Sequence, residues 1–399
     1  MIVAPVTRRL FASPSASAAD HRDTFGPRPA VTLEPLLRAL ERSGLTGRGG
    51  AGFPVHIKMA AVGRLVARGK SAVVVGNGSE GEPLSAKDRT LLLHAPHLVL
   101  DGLLMCAEVL QTDDVHLVIT PESAANVAAA VSERSDAARI VVHAAAHEYV
   151  AGEASALVQR LGGNLPLPTD RRVRLAEKGL RRRPTLVQNV ETLAHIGLIG
   201  RFGADWYRQV GQGPDAGTRL FSLSRPGMPP MVVEAESGVT IDSLLSALPP
   251  GRPAAFALVG GFSGTWIPEA AFHVPSSATG WASWGAAPGA GVVHVLTRGE
   301  CGLRATADIL DFLAHASAGQ CGSCVNGLPA IAMAMRQLAA GQDARAELVR
   351  LSCLAEGRGA CSHPDGSIHM LRSALTTFAD DVAAHARGRC VAQYQEARA

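Results

Sequence analysis

Gly47-Arg48-Gly49-Gly50-Ala51-Gly52-Phe53-Pro54, with Lys58 four residues on, puts four glycines into six positions. Backbone without Cβ atoms lets amide N–H groups approach a ligand closely, and a lysine beside them suits a phosphate. The same letters spell Gly-x-Gly-x-x-Gly, but a Rossmann loop must leave a strand and open a helix. Here residues 32–43 read as a helix. Thr32 stands at the cap position, Glu34 in the first turn, Leu36, Leu37 and Leu40 at helical spacing, and Gly44 ends it. The ordinary dinucleotide reading fails on that context. What stays open is a phosphate cradle in another fold, or a flexible surface turn.

A chain of 399 residues makes two or three domains. Apolar residues at 47% allow sizeable cores, and aromatics at 4% make those cores aliphatic. A formal charge of +3 gives no argument for nucleic acid or a membrane surface as partner. The first thirty residues, with Ser13, Ser15, Ser17 and scattered prolines, read as a loose tail. Arg8 and Arg9 are not followed by an apolar run, so no signal peptide is expected. The longest apolar stretch, residues 98–110, is interrupted by Asp101 and Glu108 and is too short to cross a bilayer. A cytoplasmic protein without a transmembrane segment is the expectation. Of seven cysteines, four fall between Cys321 and Cys361, which favours metal binding over disulfides.

Residues 71–75 (Ser-Ala-Val-Val-Val) read as a buried strand that runs into Gly76-Asn77-Gly78-Ser79-Glu80-Gly81-Glu82-Pro83. Loops at the carboxyl ends of parallel strands are where α/β proteins bind ligands. Residues 98–110 read as a helix, 115–119 as a strand, 123–133 as a helix and 139–143 as a strand. This alternation predicts a parallel sheet covered by helices. The loop Glu148-Tyr149-Val150-Ala151-Gly152-Glu153 opens a helix over 154–161. Residues 162–183 carry Arg171, Arg172, Arg174, Arg181, Arg182 and Arg183, either a solvated loop or a docking rim for a dinucleotide or an acidic partner. Residues 184–193 read as the cap and start of a further helix. Short strands at 220–223, 231–233, 256–259 and 292–295, with a helix at 241–248, predict a small, mostly β domain. Beyond Arg304, helices at 305–316, 328–338, 344–354 and 367–385 predict a bundle that carries the cysteines.

The glycine loop with Lys58, the segment Asn77 to Pro83 followed by Lys87-Asp88-Arg89 and Pro96-His97-Leu98, Tyr149 to Glu153, and residues 184–193 occur in this order. On these motifs the chain resembles the F-type, flavin-bearing, NADH-oxidising subunit of respiratory complex I and its relatives in NAD-linked hydrogenases and formate dehydrogenases. The resemblance runs from about residue 45 to residue 385. It implies an α/β fold with an FMN- and NADH-binding parallel-sheet domain over 31–210 and a small β-grasp domain of the soluble ligand-binding type (SLBB-like) over 211–296. A helical bundle of the iron–sulfur type follows over 297–399. By position it implies that Gly47, Arg48, Gly49, Gly50, Gly52, Phe53 and Lys58 hold the FMN phosphate and ribityl chain. Asn77, Ser79, Glu80, Tyr149, Gly152, Glu153, Gln188 and Asn189 would border the flavin, with Glu80, Glu82 and Tyr149 in the catalytic positions.

Several positions depart from the family. It usually has an acid where Ser79 stands and another at Ala154, Asn-Asn at Gln188-Asn189, and aromatics along the dinucleotide path at Met59 and Arg181. The family's cluster motif, Ser-Cys-Gly-x-Cys-x-Pro-Cys with a fourth cysteine about 40 residues later, is here Ser317-Ala318-Gly319-Gln320-Cys321-Gly322-Ser323-Cys324 and then Cys361. Cys321, Cys324 and Cys361 are the candidate metal ligands, and Ala318 has nothing to donate. A [4Fe–4S] cluster normally takes four cysteines. One iron would be left to water, to Ser317 or to Cys353. A zinc site or a cysteine pair without metal are the other readings. Cys106, Cys301 and Cys390 read as packing residues or spare thiols.

The expected activity is a flavin-dependent NAD(P)H oxidoreductase that passes electrons through FMN to a ferredoxin-like or quinone-linked redox partner. The alternative is a non-catalytic homologue that binds flavin or a partner and no longer oxidises NADH.

Overall fold

The computed structural model describes residues 8–145, 148–169, 174–212, 215–390 and 392. Helices α1 (Ala18–Phe25) and α2 (Leu33–Ser43) precede the glycine loop and α3 (Val55–Val66) follows it. Then come β1 (Val73–Gly78), α4 (Lys87–His94), α5 (Pro96–Val109), β2 (Val115–Ile119), α6 (Ala124–Ser132), β3 (Ile140–Ala144), α7 (Ala154–Leu161), α8 (Leu175–Lys178), β4 (Thr185–Asn189) and α9 (Val190–Tyr207). Four of these strands form an all-parallel sheet in the order β3-β2-β1-β4. Val73, Val74 and Val75 are fully buried, because helices cover both faces of the sheet.

The order of strands decides where a ligand can go. The chain steps from β1 outward through β2 to β3, then returns to the other side of β1 with β4. The loops after β1 and β4 therefore diverge and leave a crevice at their carboxyl ends. Behind the sheet, α5 and α9 cross at Gly102, where an added Cβ would lie 1.8 Å from the Leu193 carbonyl oxygen. Only glycine allows that approach. No single helix is long and apolar enough to cross a membrane among the described residues; α4 with α5 has the composition, but the pair bends by 97°. Almost every residue of α5 is buried inside the protein.

After a two-stranded hairpin, β5 (Gly211–Gln212) and β6 (Asp215–Ala216), the second sheet uses β7 (Thr218–Ser224), β8 (Met231–Glu236), β9 (Ala254–Val259), β10 (Thr265–Pro268) and β11 (Val292–Thr297), with α10 (Ile241–Leu245) against it. Its order is β10-β9-β11-β7-β8, antiparallel except for β11 with β7. The helices α11 (Gly302–His315), α12 (Leu328–Ala339), α13 (Arg345–Ala355), α14 (His363–Thr377) and α15 (Ala379–His385) follow. The edge strand β10 is covered by α14. Trp266 N–H donates to Ser373 Oγ at 2.9 Å, and Thr377 Oγ1 donates to the Trp266 carbonyl at 2.9 Å. An edge sealed in this way cannot pair with another chain.

Several expectations are corrected. Residues 8–30 are not a loose tail. Leu10, Phe11 and Phe25 are buried, and the N–H groups of Arg9, Leu10 and Phe11 donate to the Glu234 carboxylate at 3.0, 2.9 and 3.1 Å. Three apolar side chains with a buried carboxylate to satisfy the backbone outweigh the serine-rich composition. Thr32 stands at the start of α2 without a side-chain cap bond, while Gly44 ends it at φ 70° as expected. Residues 185–189 are a strand rather than helix, since a β-branched, fully buried Thr-Leu-Val segment completes the sheet. β1 runs on through Asn77 and Gly78. The last expected helix is two, broken at Phe378, and β10 was not legible.

Candidate functional site

The ends of β1 and β4 lie side by side, with Asn77 opposite Asn189. Over them folds the glycine loop. Thr46 and Pro54 pair across its neck, and Gly47 N–H donates to the Phe53 carbonyl at 2.9 Å. Gly50 and Gly52 take φ +115° and +61°, and a Cβ on Gly49 would come within 3.3 Å of Asn189 Cβ. The absence of side chains is thus a steric requirement of the loop as well as an opening for a ligand. Lys58, on the first turn of α3, donates from Nζ to the Val187 carbonyl at 2.5 Å. Burial lowers its pKa to about 8, against the pull of Glu153. Arg48 turns the other way: its guanidinium reaches Tyr207 Oη at 3.2 Å and the Thr218 carbonyl at 3.4 Å, fully buried and off the cavity wall.

The acidic loop after β1 divides its carboxylates between two tasks. Glu80 accepts from Ser85 Oγ at 2.6 Å and from the N–H groups of Asp88 and Arg89 at 3.0 and 3.2 Å, which caps α4. Glu82 accepts from Phe262 N–H at 2.8 Å and approaches Tyr149 Oη. Burial pushes its pKa up to about 7, against the bonds from Phe262 and Leu84. Tyr149 Oη also lies 3.2 Å from Ser263 Oγ, and burial with the Glu82 charge raises its pKa. Asn77 donates to the Gly152 carbonyl at 2.9 Å and accepts from Ser79 N–H at 3.0 Å. Glu153 caps α7 by accepting from Ser155 and Ala156 N–H at 2.9 and 3.0 Å.

These groups line a cavity of about 840 Å³. Gly47, Gly49, Gly50, Gly52, Phe53 and Lys58 form one wall. Asn77, Ser79, Glu80, Glu82, Tyr149, Gly152, Glu153, Gln188 and Asn189 form the floor and sides. The roof, from Gly260, Ser263, His363 and His369, was invisible in the sequence because it comes from the second sheet and the bundle. Two buried polar atoms on the wall, Ser79 Oγ and Gln188 Nε2, have no protein partner. Buried polar groups normally find one. A polar ring edge in this cavity, with its phosphate toward the glycine loop and Lys58, would satisfy them, so the residues fit FMN. A second cavity of about 670 Å³ shares Glu80, Glu82 and Tyr149 and extends past Phe312 to Ala318.

The departures from the family fall in different places. Ser79 and Ala154 do face the flavin cavity. Met59 is completely buried in the core of the first half, so it replaces no stacking surface, which corrects that expectation. Arg181 is exposed with φ 50°. Arg171 and Arg172 lie outside the described residues, and Arg183 is paired to Asp114. Lys87, Asp88 and Glu191 form a buried ionic cluster in the floor, and Lys87 and Asp88 line the cavity itself, a contribution the motifs did not single out.

Cys321 and Cys324 sit on a turn that opens a short π-helical segment, with Cys324 and Val325 N–H donating to the Cys321 carbonyl at 3.0 and 2.9 Å. Cys361 lies just before α14 and reaches the cavity wall. Burial raises Cys324 to about 12, helped by Cys321 and Cys361. Burial also works against Cys321, but N–H groups of Ala360, Cys324 and Ser323 hold its pKa below the ordinary value. Their three sulfurs do not all fall within 4.8 Å of one another. One zinc at about 2.3 Å per bond needs a sulfur spacing of about 3.8 Å. Cys321 and Cys324 are in hydrogen-bond contact, with Cys361 near enough for its charge to act on Cys324, and Ala318 offers no fourth thiolate. Cys353 is exposed on α13 beside Arg372.

A family model described as the Nuo51 FMN-binding domain matches residues 40–198, and one described as the NADH-ubiquinone oxidoreductase-F iron-sulfur binding region matches residues 304–385. The NADH-quinone oxidoreductase F subunit of Streptomyces coelicolor is 29% identical over 92% of this chain and 87% of its own length. The corresponding F subunit of Escherichia coli is 27% identical over 89% and 86%. Among solved structures, NAD+-reducing [NiFe]-hydrogenase in the air-oxidized state superposes with a TM-score of 0.79 at 26% identity, over 94% of this chain. This chain spans 64% of that hydrogenase chain.

Two outcomes are expected. Lys58→Ala removes the cation beside the glycine loop, where the resemblance puts the FMN phosphate. A charged hydrogen bond is worth about 1.5–3 kcal/mol, so FMN should bind roughly ten- to a hundredfold more weakly in a fluorescence titration of the apoprotein. Unchanged affinity would place the phosphate elsewhere. Ala318→Cys completes a four-thiolate shell and should raise iron per chain and its persistence in air, read by iron analysis and electron paramagnetic resonance on protein prepared without oxygen. A parent that already holds a full, air-stable cluster would reveal a ligand beyond the three cysteines.

Proposed function

We propose, on the premise that this chain is a homologue of the NADH-quinone oxidoreductase F subunits, that it is an FMN-dependent oxidoreductase drawing electrons from NAD(P)H. The observation that carries this reading is the crevice at the ends of β1 and β4. There the glycine loop and Lys58 line one cavity with two orphaned polar atoms, Ser79 Oγ and Gln188 Nε2. FMN, when bound, supplies the exchange between two-electron hydride transfer and one-electron transfer.

The protein's own residues do the rest. The loop amides and Lys58 bind the phosphate. Asn77, Gln188 and Asn189 orient the ring from the floor. The carboxyl of Glu82, with a pKa near 7, can hold or release a proton beside the boundary of the two cavities at physiological pH. Tyr149, packed edge-on against Phe312 and His363, excludes water there. The second cavity is the path for the nicotinamide nucleotide. The division at 31–210, 211–296 and 297–399 separates flavin binding, a roof of SLBB type and the cluster region. The protein works in the cytoplasm, and its acceptor is a ferredoxin-like or quinone-linked redox partner.

The second reading, a homologue that binds flavin or a partner but no longer oxidises NADH, draws on Ser79 and Ala154, which face the cavity where the family usually has acids. Stopped-flow mixing of the FMN-loaded protein with NADH or NADPH in the absence of oxygen separates the two. Bleaching of the flavin band, slowed in Glu82→Gln, supports the oxidoreductase. A band untouched by saturating NADH and NADPH supports the non-catalytic homologue.

A further inference from the structure

Cys301 and Cys390 are not separate spare thiols. With His385 they form the one group of three among the described residues whose ligand atoms all lie within 4.8 Å of one another. Cys301 caps the start of α11, His385 is the last residue of α15, and Cys390 lies five residues beyond. The group lies away from the flavin cavity and does not include Cys321, Cys324 or Cys361.

The imidazole is oriented as a ligand. His385 Nδ1 lies 2.8 Å from the Ala339 carbonyl oxygen. A carbonyl can only accept, so Nδ1 carries the proton and Nε2 keeps its lone pair. A backbone carbonyl on the far nitrogen is the usual way a metal-binding histidine is fixed. Nε2 points at Cys301 Sγ, 3.5 Å away. Tetrahedral zinc with bonds of about 2.0–2.1 Å to nitrogen and about 2.3 Å to sulfur needs a separation of about 3.6 Å along that edge. His385 and Cys390 are buried, and Cys301 is partly open, so an ion has a way in. Asp381 is buried one turn before His385, on the same face of α15 and close enough to Cys301 for their charges to interact. Its carboxylate or a water takes the fourth corner.

We propose that Cys301, His385 and Cys390 bind a single zinc ion that clasps the first helix of the bundle to the segment after its last. Two thiolates, one imidazole and an oxygen suit zinc, a borderline-soft ion with no redox chemistry of its own. Each bound thiol gives up its proton to solvent as the metal–sulfur bond forms, and no electron moves.

The test is metal analysis of the full chain, expressed with added zinc and purified without oxygen, beside three variants. The parent and Cys324→Ser should each hold about one zinc per chain, because the cluster cysteines are not the site. Cys390→Ala and Cys301→Ser should hold almost none. Cys390 lies beyond α15, so Cys390→Ala leaves the helices intact even if Cys301→Ser disturbs α11. Adding Co²⁺ to chelator-treated parent should give a thiolate-to-cobalt charge-transfer band that Cys390→Ala lacks. The proposal is overturned if the parent holds no zinc, if Cys390→Ala keeps the full equivalent, if Cys324→Ser loses it, or if peptide mapping of the anaerobic protein finds a Cys301–Cys390 disulfide.

Discussion

A charged lysine is kept inside the protein by two carboxylates, and the flavin crevice is built on that cluster. Lys87 is only 2% exposed. Its Nζ lies 2.6 Å from Asp88, 3.0 Å from Glu191 and 3.3 Å from Asn189 Oδ1. Burial alone would strip its proton, but the adjacent carboxylates reverse the effect and raise its pKa. Asn189 then donates to Asp88 at 2.7 Å and to the Asn77 carbonyl at 3.3 Å, which ties the end of β4 to β1. Glu191 accepts from Leu220 N–H at 2.9 Å, so the second sheet is anchored to the same cluster. Removing one partner from a buried ionic group costs about 3–5 kcal/mol, since the remaining charges stay buried. The shared floor of the crevice is therefore expensive to disturb.

Much of this was legible in the sequence. The valines of β1, the apolar segments of β2 and β3 and the limits of α7 follow from periodicity and β-branching, and the structure places them within one to three residues. The glycine loop was recognisable because its backbone cannot tolerate side chains. Residues 185–189 were misread because Gln188 and Asn189 look like a helix cap, and Asn189 does cap α9 while it also ends a strand. Residues 8–30 were misread because composition cannot show that a distant Glu234 will accept their N–H groups. The roof of the cavity and the meeting of Cys301 with Cys390 depend on packing between segments far apart in the chain, where local patterns carry no signal.

The two redox shells have been altered unequally. Around the flavin cavity, Asn77, Glu80, Glu82, Tyr149, Glu153 and Asn189 each have defined partners. At the position where the family motif has its first cysteine, Ala318 offers only a methyl group and lines the neighbouring cavity. On the proposed function, a flavin cavity that keeps its polar lining beside only three candidate cluster thiolates would place the weak step at the exit of electrons rather than at their entry.

The visible absorption spectrum of the full chain, purified without oxygen and followed by mass identification of the released cofactor, tests this most directly. The two bands of a bound flavin, released as FMN, are expected, with iron–sulfur absorbance weak or quickly lost in air. A protein that takes up no flavin when incubated with FMN, or that releases FAD, would contradict it.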